Sequence, residues 1–212
     1  MSRDSVATVT SLRQGHALRL DRLAPSWHAA TIWHTLVEVP PAATFESIRA
    51  AELGLIPTRA ILRLRALPDR TLQRIAGMTP PRFPKTIAAA LDDGEPWTLL
   101  SERPEAEIVA GAIGAVWRPV IQWIGFDPSE FELFCEPGYA KVAAGFSVRH
   151  YGADRSLLSI EVRAVATSAG ARHAVVRYWQ ACGPLIRLVV RGAARSIKDY
   201  AEHRGPLAAQ PM

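Results

Sequence analysis

Hydrophobic and polar positions along the chain fall into segments of different period. Thr31-Ile32-Trp33-His34-Thr35-Leu36-Val37-Glu38-Val39 is rich in β-branched and aromatic residues and stops at Pro40-Pro41, which predicts a strand. Pro41 stands where a helix would start, and Phe45, Ile48 and Leu53 follow at helical spacing before Gly54. From Trp97 the period is two. Trp97–Glu102 and Glu107–Ile113 flank Arg103-Pro104-Glu105-Ala106 and predict a β-hairpin, and Phe131–Cys135 reads as a short strand before the Glu136-Pro137-Gly138 turn.

The clearest alternation follows. Ala140, Val142, Ala144, Phe146 and Val148 alternate with Lys141, Ala143, Gly145, Ser147 and Arg149. After the Gly152-Ala153-Asp154 turn, Leu158, Ile160, Val162, Ala164 and Ala166 alternate with Ser159, Glu161, Arg163 and Thr167. Two long antiparallel strands with one apolar and one polar face fit this pattern. If 150 lies opposite 156, Gly145 faces Glu161, with Lys141 and Arg149 diagonal to it. A helical pattern then runs from Ala171 to about His203. Its apolar stripe is Val175, Tyr178, Trp179, Cys182, Ile186, Val189, Val190, Ala193, Ile197 and Tyr200, with Arg187, Arg191 and Arg195 on the opposite side. Gly183-Pro184 predicts a kink or a two-part helix, because proline removes a helical hydrogen bond and clashes with the preceding turn.

Two regions are set apart by composition. Between Leu55 and Ile75, leucines and isoleucines alternate with Arg59, Arg63, Arg65, Arg70 and Arg74, and Pro57 and Pro68 bracket one amphipathic helix. It fits either a helix packing its leucines on the core or a basic flap or membrane-surface helix over a cavity mouth. Residues 77–96 read as loop around a short helix at 86–91. Residues 1–29 read as a loosely held arm with a short helix around 17–23, and 205–212 as a frayed tail, which leaves one domain at 30–204.

A chain of 212 residues with 49% hydrophobic and 21% charged residues has enough apolar surface for one core. No apolar run approaches the ~18 residues of a membrane-spanning helix, and charges interrupt the N-terminal segment, so a cytoplasmic protein without a secretory signal is expected. The net charge of +5 invites an anionic partner. The arginines, however, are dispersed and no nucleic-acid motif accompanies them, which argues against nucleic acid.

Catalytic motifs are lacking. Cys135 and Cys182 offer no CxxC, and the six histidines no HxH or HExxH pair, so no metal is expected. Gly111-Ala112-Ile113-Gly114 lacks the Lys-Ser/Thr of a phosphate loop, and there is no GxSxG elbow. Cys182, on an apolar helical stripe, reads as a small buried hydrophobe. His34 and Glu38 share one face of the first strand, which the pattern leaves either solvated or catalytic; Glu161 reads as part of a salt-bridged outer sheet face.

The order of elements is strand, helix, basic region, antiparallel strands and one long helix. It resembles the SRPBCC superfamily, the START-like or polyketide cyclase/dehydrase group with a helix-grip fold. The resemblance rests on the opening strand running into Val39-Pro40-Pro41-Ala42-Ala43-Thr44-Phe45, on Pro137-Gly138-Tyr139-Ala140-Lys141, on the strand through Ser159-Ile160-Glu161-Val162-Arg163, and on Tyr178-Trp179 ahead of Pro184-Leu185-Ile186-Arg187. It covers about residues 30–203; the Gly183-Pro184 break departs from the uninterrupted helix of many members. The resemblance implies an α+β fold, a curved antiparallel sheet wrapped around a long C-terminal helix, with a cavity between them for a hydrophobic small molecule such as a lipid, isoprenoid or polyketide-like compound. Expected lining residues are Phe146, Val148, Ile160, Val162, Val175, Tyr178, Trp179, Cys182 and Ile186, with Leu62 and Leu64 as lid residues. No cofactor is implied. The alternatives are a polyketide cyclase/dehydrase-like enzyme moving protons with Tyr178 or His34, and an interaction or peripheral membrane module using the basic helix at 55–75.

Overall fold

A computed structural model describes residues 18–52, 86–92 and 96–204. Helix α1 (Arg19–Leu23) precedes strand β1 (Ala29–Val37), helix α2 (Pro41–Ala50) and helix α3 (Ile87–Asp92). Strands β2 (Thr98–Arg103), β3 (Glu107–Gly114) and the two-residue β4 (Trp123–Ile124) follow. The chain closes with β5 (Ala140–His150), β6 (Ser156–Ala166) and helix α4 (Ala169–Arg204). The strands form one open, curved antiparallel sheet in the order β1-β6-β5-β3-β2, with β4 on β3. The fold is α+β and helix-grip, with α4 packed against the sheet.

The central hairpin has the register expected from the alternation. His150 stands opposite Ser156 and Gly145 opposite Glu161. Lys141 and Arg149 share the face of Glu161 but lie farther along the strand; Ala143 and Ser147 take the diagonal places. Phe146, Val148, Leu158 and Ile160 point inward and are buried against Val190, Ala193, Ala194 and Ile197 of α4 and against Phe45 and Ile48 of α2. Each large side chain buried there contributes roughly 1.5–3 kcal/mol, so this two-layer contact dominates the fold.

Three expectations are corrected. Helix α4 is one continuous helix of 36 residues through Gly183-Pro184, which overturns the two-part alternative. The proline sits on an exposed turn, where Gln180, whose carbonyl loses its helical donor, is also exposed, so solvent can take the place of the missing bond. No strand forms at Phe131–Cys135. Instead a short 3₁₀ turn at Pro128–Glu130 is capped by Asp127, whose carboxylate accepts the Ser129 N–H at 2.9 Å, and it delivers a fully buried Phe131 beneath the sheet.

The third concerns the outer face of the sheet, which is not simply polar and solvated. α1 docks on it, burying Leu20 and Leu23 with Val109, Ile113, Phe131 and Ala143. A Cβ on Gly145 would lie 2.9 Å from Leu20 Cδ2, so the absent side chain is what admits the helix. The buried carboxylate of Glu107 accepts the free N–H groups of Arg19 (2.7 Å) and Leu20 (3.1 Å) at the first turn of α1. At the other end Arg163 donates to the carbonyl of Ala24 at 3.0 Å and pairs with Asp21 and Glu161, both at 2.7 Å.

Candidate functional site

The inner face of the sheet and the facing side of α4 hold most of the residues expected to line a ligand site, and the structure sorts them. Phe146, Val148 and Ile160 are buried in the main core, with Val162 and Ile186 packed half-buried at its margin. Val175 and Trp179 belong to a separate cluster with Ala140 and Ala164 near the start of α4. Tyr178 and Cys182 are half-buried on the helix between these groups. Leu62 and Leu64, like the rest of the arginine-rich stretch, lie outside the described residues.

Trp179 has a structural partner that its sequence context did not reveal. Its indole N–H donates to Thr31 Oγ1 at 3.0 Å and approaches the Ala30 carbonyl at 3.3 Å, tying α4 to the start of β1. Buried indoles find such partners because an unpaired N–H is costly.

Sequence reasoning missed other residues of this face. Trp33 stands opposite Ile160 in the register and therefore points inward. Trp33, Trp97, Leu99, Val162 and Ile186 all pack against the core yet keep accessible surface. The usable signal was parity: Trp33 shares its strand face with Val37, which is fully buried. Arg191 corrects the reading that placed it on the solvent side of α4. It is half-buried, its guanidinium lies 5.2 Å from the centre of the Trp33 ring, and its Nε is buried without a hydrogen-bond partner. Such unsatisfied donors are uncommon, and this one borders the apolar surface just described.

The polar candidates separate from this site. His34 lies on the outer face, with Nδ1 2.7 Å from Ser159 Oγ. Glu38 follows the end of β1, its carboxylate exposed and 4.0 Å from Arg155 Nε. Glu161 is salt-bridged to Arg163 on the outer face, as the pattern implied. His34 and Tyr178 thus lie on opposite sides of the sheet and share no site. Among the described residues no group of three or more His, Cys, Asp or Glu could hold a metal ion, and no helix is long and apolar enough to cross a membrane.

One imidazole is tuned by its surroundings. His28 accepts the Ala166 N–H at Nδ1 (3.0 Å), which requires a neutral ring nitrogen. Burial, and next the positive charge of Arg172, hold its pKa below the ordinary imidazole value. The folded chain therefore binds this proton less readily than the unfolded chain. Its contribution to stability is complete above about pH 6.5 and is lost as pH falls through the depressed folded value. Thermal unfolding between pH 7.5 and 5.5 should show Tm falling with acidification, with a shallower slope in His28→Gln. An identical slope in both proteins would contradict this assignment.

No family model matches the sequence, and no curated protein matches it. Among solved structures the chain is similar to CalU16 from Micromonospora echinospora, at 13% identity over 85% of this chain and 89% of that one, with a TM-score of 0.27. It is also similar to the Zhui aromatase/cyclase from Streptomyces sp. R1128, at 11% identity over 86% of this chain and 99% of that one, with a TM-score of 0.31. Likenesses at such TM-scores carry no functional weight. The helix-grip arrangement of this chain, established by its own strand order and its C-terminal helix, is the one that the SRPBCC resemblance implies.

Proposed function

We propose that the protein binds a hydrophobic small molecule between the inner face of the sheet and α4, as a carrier or binding protein. The observation that carries this reading is the set of inward-pointing apolar side chains, Trp33, Trp97, Leu99, Val162 and Ile186, that retain accessible surface beside a closed core. Covering that remaining apolar surface is what a hydrophobic ligand would gain there. In this reading Phe146, Val148 and Ile160 are the floor and Val162, Tyr178, Cys182 and Ile186 the walls, with Val175 and Trp179 in the neighbouring cluster near the start of α4. Arg191, with its unpaired Nε, supplies the polar group that orients a ligand in an otherwise apolar site.

The cyclase-like alternative keeps Tyr178, half-buried on α4, as its proton-moving group, while His34 lies on the other face of the sheet beside Ser159 and does not serve that site. Titration with the neutral apolar fluorophore N-phenyl-1-naphthylamine tests the proposal. Saturable binding at one site per chain, with energy transfer from tryptophan, is expected; a linear, non-saturating response would contradict it.

A further inference from the structure

A row of polar side chains crosses the outer face of the sheet, opposite to the site proposed above. The register sets His34 of β1 against Ser159 of β6, Ser159 against Ser147 of β5, and Ser147 against Glu107 of β3. Adjacent strands are about 4.8 Å apart, so four functional groups stand in one line within reach of a single small molecule. The row floors a cavity of about 230 Å³. Leu18 and Leu20, where α1 begins, wall it on one side, and Ile32 of the edge strand β1 and Leu157 of β6 add apolar surface. Arg149 and Glu161 line it too, one to either side of the row along the strands.

The charges of this cavity are not balanced in the same way. The Glu107 carboxylate is occupied by the backbone N–H groups of Arg19 and Leu20 and by Arg103 at 3.4 Å. Glu161 is held by Arg163. Both acids are thus engaged within the protein, although Glu161 shares Arg163 with Asp21. Arg149 is exposed and has no ion pair among the described residues, so its guanidinium is the charged group left free to meet a ligand. Beside it the row offers the hydroxyl of Ser147 and the Ser159–His34 pair, whose Oγ and Nδ1 stand 2.7 Å apart and already share one hydrogen bond. A carboxylate matches this set, because guanidinium binds it through two parallel N–H bonds and the Ser147 hydroxyl can donate to a remaining lone pair. The leucine wall then takes an apolar body. The volume is below the ~300–1,000 Å³ of sites for drug-sized molecules, which favours a short acid over a long-chain lipid.

We propose that this outer-face pocket is a second ligand site, specific for a small monocarboxylate with a short apolar body. It is independent of the inner site, from which the whole thickness of the sheet separates it.

The test is a titration of the isotope-labelled full-length chain with hexanoate, followed by amide chemical shifts, with hexanamide as the neutral control. Saturable shifts are expected at the amides around His34, Ser147, Leu157 and Ser159. Affinity should fall about tenfold or more for hexanamide and for Arg149→Gln, the loss expected when a charge-assisted hydrogen bond is removed. Three results would overturn the proposal. One is no saturable shift at these amides. The second is equal affinity for hexanamide or for Arg149→Gln. The third is shifts centred on Ile186 and Val162, which would put hexanoate in the inner site.

Discussion

Arg163→Met is expected to lower the unfolding free energy by about 3–5 kcal/mol, the range for removing one partner of a buried charge pair. Arg163 is only 4% exposed. Its Nη1 donates to the Ala24 carbonyl, Nη2 and Nε pair with Asp21 and Glu161, and its plane lies 4.1 Å from the centre of the Trp27 ring. Methionine can fill much of the volume, but it leaves the half-buried Glu161 carboxylate and the last carbonyl of α1 without donors. In a domain of this size the loss corresponds to a fall in Tm on the order of 10 °C. Amides of α1 should lose hydrogen-exchange protection first, because Arg163 and Glu107 are what hold that helix to the sheet. Arg22→Ala is the matched control. Its ion pair with Glu132 joins side chains that are 66% and 40% exposed, so the change should be within about 0.5 kcal/mol. Comparable losses in the two variants would show that α1 is not locked in the way described.

Ile160→Ala and Ile186→Ala are expected to separate stability from binding. Ile160 is 2% exposed on the strand at the middle of the inner face, paired with Phe146 across the hairpin. Truncation there leaves a cavity among groups fixed by two strands and a helix, at a cost of about 3–4 kcal/mol. Ile186 is half-buried at the margin of the same core. Its truncation should cost about 1 kcal/mol or less, because part of the side chain already meets solvent, yet it should weaken binding of an apolar probe several-fold. Chemical denaturation and probe titration on the two variants give four numbers. Loss of probe affinity in Ile186→Ala with little change in stability supports a wall residue. A stability loss equal to that of Ile160→Ala would return Ile186 to plain core packing. Trp179 is a poorer test of the same point: its N–H contacts with Thr31 and Ala30 make stability and site geometry inseparable there.

Much of the fold was legible because it rests on local period. The alternation of β5 and β6 and the Gly152-Ala153-Asp154 turn were enough to set 150 against 156, and every other pair follows from that one. α4 declared itself by its apolar stripe in the same way. The outer face was not legible, since what covers it depends on partners far apart in sequence. The carboxylate that caps α1 lies 88 residues from Arg19, and the arginine that binds its far end lies 142 residues from Asp21. No local pattern encodes such pairs. Arg191 was misplaced for a different reason. Successive i, i+4 positions turn only about 40° each, so Arg191 lies between the exposed Arg187 and Arg195 on the helix surface, and it is the reach of its long side chain to the Trp33 ring, 5.2 Å away, that half-buries it. Of the proposed site, the buried floor could be read from strand parity. The partly buried wall of Trp33, Trp97 and Leu99 could not, because it joins strands and a loop far apart in sequence.

Native mass spectrometry of the full-length protein, comparing gentle ionisation with denaturing extraction, tests the central claim most directly. A stoichiometric apolar adduct from the expression host, or one acquired from a panel of fatty acids and polyketides, is the expected result, and it should be diminished in Ile186→Ala. Repeated absence of any adduct, with no thermal shift from the same panel, would contradict a hydrophobic site between sheet and helix and leave the inward-facing aromatics as incomplete core packing.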